Sequence, residues 1–208
     1  MSVSRGTLGD EGGQANPLED RLRQFLELLL RWNSRINLVA DRDPAAIRRR
    51  HIEDSLQLRP LLPQGHGPIG DLGSGGGFPG LVLAMAESRP FHLIESDRRK
   101  AAFLTEAAAQ LGLHHVRVHP DRIEAARPPP LVAITARALA PLDALLGHAE
   151  RLLEPGGIAL FPKGRTAEAE LTDAGRRWTF QTDRFPSRTD PEATILRLSQ
   201  IRRAGPDI

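Results

Sequence analysis

A chain of 208 residues has room for one α/β domain with a modest extension, and enough length to bury a core. It has no cysteine, which excludes disulfides, thiolate metal sites and a cysteine nucleophile; no apolar run is long enough to cross a bilayer, and residues 1–17 are polar and Gly-rich with no apolar signal core, so a cytoplasmic protein is expected. The formal charge of +2 is too small to argue for nucleic acid by itself, and although Lys100 and Lys163 are the only lysines among 28 basic residues, codon composition accounts for most of that arginine excess.

Residues 1–17 read as a flexible tail. Leu18, Leu22, Phe25, Leu26 and Leu29 recur at helical spacing and predict an amphipathic helix through Trp32. Asp43 as N-cap and Pro44 in the first turn open a second helix, expected to run to about Leu58 and to stop before Pro60. The Pro/Gly-rich stretch 61–68 marks a boundary, giving a helical extension over 18–62 and a main domain over 63–208 that together form one structural unit. From there strands and helices alternate. Strand 69–72 precedes helix 79–86, strand 91–95 precedes helix 97–111, and Gly112 ends the latter. Strand 116–118 follows, then Pro128-Pro129-Pro130 leads into strand 131–135. Helix 141–153 is expected to end at Pro155-Gly156-Gly157, before strand 158–161. Residues 178–185 and 194–201 are β-rich with no helix between them and read as a closing antiparallel hairpin. No internal repeat is visible.

The segment Ile69-Gly70-Asp71-Leu72-Gly73-Ser74-Gly75-Gly76-Gly77-Phe78-Pro79-Gly80 carries the chemistry. A strand that turns through glycines into a helix forms a nucleotide pocket at the carboxyl end of an open sheet. Residues 75–80 formally satisfy G-x-G-x-x-G, but a pyrophosphate on the helix N-terminus would be opposed by an acid just before the glycines. Asp71 in that place suits a ligand with an ammonium or sulfonium group and no phosphate, and S-adenosylmethionine has both. Glu95, closing the second strand, lies about one βα unit further on, where an acid takes ribose hydroxyls. The predicted architecture is therefore α/β: the class I S-adenosylmethionine-dependent methyltransferase fold, a seven-stranded, mostly parallel sheet with a closing antiparallel hairpin and an N-terminal helical extension.

The blocks Arg31-Trp32-Asn33-Ser34-Arg35-Ile36-Asn37-Leu38, Arg42-Asp43-Pro44 and Arg50-His51-Ile52-Glu53-Asp54-Ser55-Leu56 resemble the N-terminal signature of the glucose-inhibited division protein B, or RsmG, family of ribosomal RNA methyltransferases. The resemblance continues through the glycine loop, Glu95-Ser96, Arg98-Arg99-Lys100, Arg122-Ile123-Glu124, Thr135-Ala136-Arg137-Ala138 and Pro162-Lys163-Gly164, and so covers nearly the whole chain. It implies methylation of the N7 of one guanine in small-subunit ribosomal RNA near the decoding site, with S-adenosylhomocysteine as coproduct. By the same similarity Gly73 and Phe78 line the methionine and ribose side, Ile123 and Glu124 flank the adenine, and Arg137 reaches the cofactor from the fourth strand. Phe78 departs from the leucine often found there but keeps the apolar character. Asp71, Gly75, Gly77 and Glu95 complete the expected cofactor set.

What the chain lacks agrees with that chemistry. Carbon-5 methylation of pyrimidines needs a cysteine nucleophile. Amino-group methylation usually goes with Asn/Asp-Pro-Pro-aromatic after the fourth strand, where Thr135-Ala136-Arg137-Ala138 stands. Ribose methylation commonly uses two lysines, and Lys100 and Lys163 are in the wrong segments. Guanine N7 has a lone pair and no proton, so it needs alignment and little or no general base; Arg137 and Lys163 are the candidate positioning residues. The RNA-binding candidates are Arg31, Arg35, Arg42, Arg48, Arg49, Arg50 and Lys163, interrupted by acids that also permit a solvated face. His51 and Asp54 share a helical face and are placed to pair; no metal site is expected there. A monomer is expected. The rival readings are a methyltransferase of another substrate and a nucleotide-sensing binding protein linked to cell division.

Overall fold

The structure, a computed structural model, describes residues 16–205, so the expected tail lies outside the described residues up to position 15, and its last two residues, Asn16 and Pro17, instead open the first helix. Helix α1 (Pro17–Asn33) begins where the Asn16 side chain accepts from the Leu18 amide at 3.1 Å. Pro17 takes a position whose N–H would be unpaired, and Glu19 and Asp20 sit at the positive end of the helix. Its Leu22, Phe25, Leu28 and Leu29 are buried. At its end the buried Asn33 pins the next loop: Oδ1 accepts from the amides of Leu38 and Val39, and Nδ2 donates to the carbonyls of Val39 and Asp41.

The second helical run opens as expected, with Asp43 accepting from the amides of Ala45 and Ala46. It is not one α-helix to Leu58, however. Helix α2 (Pro44–Ile47) widens into a π-helical turn over Arg48–Glu53, returns as α3 (Asp54–Leu56), and is followed by a 3-10 turn at Arg59–Leu61.

Seven strands form one sheet: β1 (Ile69–Leu72), β2 (Phe91–Ile94), β3 (Val116–His119), β4 (Leu131–Ala136), β5 (Leu153–Lys163), β6 (Trp178–Pro186) and β7 (Thr194–Arg203), in the order β3-β2-β1-β4-β5-β7-β6. The first five are parallel, and β7 runs antiparallel between β5 and β6. This is the expected class I methyltransferase architecture. Helices α4 (Gly80–Ala86), α5 (Arg98–Gln110), α6 (Leu142–Leu152) and α7 (Ala167–Ala174) connect the strands.

Three details differ from the sequence reading. Pro79 is the N-cap of α4 and not its first helical residue. Helix α6 stops at Leu152 and β5 starts at once, so Pro155-Gly156-Gly157 lie within the strand. Gly156 has φ +85°, and the β4–β5 register slips between Leu131 and Ala133, which absorbs the extra residues. Helix α7 was not foreseen: its buried marks, Ala167, Leu171 and Ala174, are too small and few to announce a helix.

Alternate residues of each strand feed two cores. On one face Ile69, Phe91, Leu93 and Leu160 join α4, α5 and the N-terminal Leu22, Phe25, Ile47, Ile52 and Leu58. On the other, Leu72, Ile94, Ile134 and Phe161 meet α6, α7 and Trp178. The N-terminal helices thus share a core with the sheet. The Phe25 ring lies 5.5 Å from Phe78 and 6.3 Å from Phe103, and Trp32 packs 5.8 Å from Phe103 with Nε1 donating to Glu106. On the far face Trp178 donates to Asp143 at 2.8 Å beneath the Arg203 guanidinium.

Candidate active site

Strands β1 and β4 are neighbours, with Leu72 opposite Ala136, so Gly73 and Arg137 leave the sheet side by side. Successive chain segments pass to opposite faces here, and an open sheet has its ligand crevice at such a switch point. Gly73 has φ +64°, and a Cβ there would stand 2.5 Å from the Leu139 side chain. The positive φ is what calls for glycine, since Leu139 is met at the far end of an exposed, flexible side chain.

Glu95, just beyond β2, is buried and spoken for on both oxygens. Oε2 accepts from the Gly75 amide and Oε1 from the Asp97 amide, each at 2.8 Å. The carboxylate therefore shapes the glycine loop and the start of α5, and Glu95 also lines the cavity beside them. That cavity, about 450 Å³, is walled by Gly73, Gly75, Ile94, Glu95, Ser96, Lys100, the turn at Asp121–Glu124, Arg137 to Ala140 and His148. An acid for hydroxyls, exposed glycine backbone and an apolar Ile123 edge fit a nucleoside, and the volume lies in the range of small-ligand sites.

Three residues expected at this ligand lie behind the wall. Asp71 is fully buried, its Oδ1 accepting from the Thr135 hydroxyl at 2.7 Å, and it does not offer its charge to the cavity. Burial pushes its carboxyl up to about 6, against the pull of the Thr135 hydrogen bond. Gly80 covers it so closely that a Cβ there would stand 2.6 Å from Oδ2. Phe78 is buried between Phe25 and His51, its ring 5.1 Å from the imidazole, and the Arg137 guanidinium lies 5.3 Å over it. Gly77 packs against Leu81 of α4. The strand–loop–helix geometry turns these three towards the core, which the motif alone does not encode.

Arg137 lines a second, larger cavity as well, of about 900 Å³, walled also by Arg49, Arg50, Asp54, Leu139, Pro162, Lys163, Glu170, Thr189 and Asp190. Arg137 to Ala140 form the common wall. Arg137 Nη1 donates to the Arg50 carbonyl at 3.0 Å and to Asp54 at 3.3 Å, and Nη2 donates to Nδ1 of His51 at 2.7 Å. With Nδ1 accepting, the neutral His51 carries its proton on Nε2, 3.2 Å from Asp41. Burial and then the Arg137 charge hold the His51 pKa below its ordinary value. His51 and Asp54 therefore do not pair with each other, as their spacing had implied; Arg137 bridges them. Asp54 Oδ1 accepts in turn from Thr189 and Gln57, both at 2.7 Å, which ties the β6–β7 loop to the N-terminal extension. Asn33, Asp54, Gln57 and Thr189 escaped the sequence reading as site builders, although the first two stand within its signature blocks.

Lys163, ending β5, donates to the Ala140 carbonyl and to Glu170, so it holds the loop between the cavities as well as facing the larger one. Of the consecutive arginines, Arg48 pairs with Glu19 and Glu53, and Arg50 with Asp41. Arg49 has no ion pair among the described residues and opens onto the larger cavity. Arg31, Arg35 and Arg42 are exposed and line neither cavity. No group of three or more potential metal ligands occurs among the described residues.

The family model described as rRNA small subunit methyltransferase G matches residues 18–192. A protein named Ribosomal RNA small subunit methyltransferase G from Acidiphilium cryptum is 58% identical over 189 residues, covering 88% of this chain and 86% of the relative. Its namesake from Granulibacter bethesdensis is 51% identical over 201 residues, covering 97% and 94%. Among solved structures, the M. jannaschii TYW2 in complex with AdoMet superposes with a TM-score of 0.60 at 11% identity, covering 82% of this chain and 80% of that one. An O-methyltransferase from Bacillus cereus in complex with SAH gives 0.58 at 17%, covering 85% and 91%. At these identities the structural likeness speaks for the fold alone.

Proposed function

The chain belongs to the rRNA small subunit methyltransferase G family, and from that premise we propose that it methylates the N7 of one guanine near the decoding site of small-subunit ribosomal RNA. It is an S-adenosylmethionine-dependent methyltransferase of that RNA. The smaller cavity is our cofactor site, with Glu95 receiving the ribose hydroxyls, Ile123 and Glu124 beside the adenine, and Gly73 and Gly75 offering backbone. Asp71, Gly77 and Phe78 serve it from behind: Phe78 supports Arg137, Gly77 keeps α4 close, and Asp71 ties β1 to β4. When bound, S-adenosylmethionine supplies a methyl group on a cationic sulfur.

The observation that carries the reading is the shared wall: one short segment, Arg137 to Ala140, borders both cavities. A base in the larger cavity then meets the cofactor's end of the smaller one across Arg137 and Leu139. Guanine N7 brings its own lone pair, so no side chain has to remove a proton, and the chain's work is to orient the base and exclude water. The methylated ring is cationic. Asp54 and Glu170 in the wall of the larger cavity are already paired with Arg137 and Lys163, while the exposed Arg49 and Arg50 suit phosphates. The exposed Arg31, Arg35 and Arg42, with Arg48, are further candidates for RNA contact outside the cavities, and Lys163 braces the loop at Ala140.

Monomeric action in the cytoplasm is part of the proposal. It is supported by a described surface on which Leu139, at the cavities themselves, is the single exposed large hydrophobic residue, and no described helix is long and apolar enough to cross a membrane. The test is methyl transfer from labelled S-adenosylmethionine to small-subunit RNA from cells lacking this gene, followed by borohydride and aniline. One strand cut is expected. Incorporation without a cut would move the reaction to another atom, and no incorporation would favour a binding protein.

A further inference from the structure

We propose that Arg151 is a positioning residue for the cofactor, holding the turn that carries Ile123 and Glu124 against α6. The proposal rests on the reading of the smaller cavity as the cofactor's. That turn is a single helical loop: the Arg122 carbonyl accepts from the amides of Ala125 and Ala126, at 2.9 and 3.0 Å, and no further turn follows to satisfy the later carbonyls. Two arginines take them instead. Arg127 Nη1 donates to the carbonyls of Glu124 and Ala126, at 2.7 and 2.9 Å, but it is part of the same segment and moves with it. Arg151 comes from the last turn of α6, with Nη1 donating to Ala126 at 3.2 Å and Nη2 to the Ile123 carbonyl. One planar fork therefore spans both ends of the turn and fastens it to the scaffold. One turn earlier on α6, His148 approaches Glu124 at 3.7 Å and itself lines the cavity.

An arginine in the last turn of a helix also favours the helix dipole, which is the plain structural role to be separated from this one. Lysine keeps the charge at the helix end but has no fork to reach two carbonyls. Arg151→Lys and Arg151→Met are compared with the natural chain in calorimetric titration with S-adenosylhomocysteine, and in hydrogen exchange over residues 120–127 without ligand. Both variants should bind at least about fivefold more weakly and exchange faster in that segment, with kcat at saturating cofactor little changed. A lysine variant that binds and exchanges like the natural chain overturns the proposal and leaves Arg151 a dipole residue. A natural chain that does not bind S-adenosylhomocysteine overturns the cavity's assignment, and the proposal with it.

Discussion

Gly73 has a backbone that L side chains rarely adopt. Gly73→Val should therefore abolish S-adenosylhomocysteine binding in calorimetry while circular dichroism still reports a folded chain; undiminished affinity would sink the pocket assignment. Glu95 asks for a different expectation, because its oxygens hold the amides of Gly75 and Asp97. Glu95→Gln sets an amide NH₂ against one of those N–H groups. It should both lower the melting temperature and weaken cofactor binding about tenfold or more, since hydrogen bonds to a charged group contribute roughly 1.5–3 kcal/mol. Loss of stability with normal binding would make Glu95 a loop-builder only. Asp71 gives a pH signature. Its folded pKa of about 6 stands above its ordinary value of 3.8, so between those values the folded state holds a proton that the unfolded state has released. Stability from this group falls as pH rises through that window. Compared with Asp71→Asn, the natural chain should gain melting temperature as pH drops from 7 to 4; a constant difference would mean that the buried carboxyl does not titrate there.

The wide turn at Arg48–Glu53 distributes three consecutive arginines to three tasks. Arg48 crosses to α1 at Glu19, Arg50 reaches Asp41, and Arg49, with no ion pair among the described residues, lines the larger cavity. Neutralised singly to glutamine, Arg49 should weaken RNA binding most and reduce the slope of log affinity against log salt by close to one, Arg50 less, and Arg48 least. Cofactor affinity should not move. Equal slopes for all three variants would mean that the RNA docks elsewhere. At this scale the sequence was legible wherever a local device fixes an element. Asp43 caps a helix, Gly112 ends one, and β-rich runs with no helix between them mark β6 and β7. It was illegible where tertiary contacts override local preference. The π turn leaves no mark on apolar spacing, α7 has little apolar surface to bury, and β5 accepts Pro155-Gly156-Gly157 only because its partner's register shifts.

Across the molecule, Arg137 is where three distant stretches meet: the N-terminal helices through His51 and Asp54, the glycine loop through Phe78, and the β6–β7 loop through Thr189 on Asp54. The linear motifs named Arg137, Glu95 and Gly73 because each closes a strand or opens a loop. They did not show that Asp71 and Phe78 lie buried behind the smaller cavity, since which side of a strand end faces the crevice depends on how α4 folds back over it. The same layering has an optical consequence. The chain has two tryptophans and no tyrosine, so its near-ultraviolet emission comes from Trp32 on one face of the sheet and Trp178 on the other. Neither lines either of the two cavities that meet at Arg137. Trp32→Phe and Trp178→Phe each leave a single lamp on one layer, and in a urea titration two coincident midpoints are expected if the layers melt as one. Separate midpoints would divide the fold along its sheet. Titration with S-adenosylhomocysteine should leave both lamps nearly unchanged, because the light sources stand outside the room where the ligand sits.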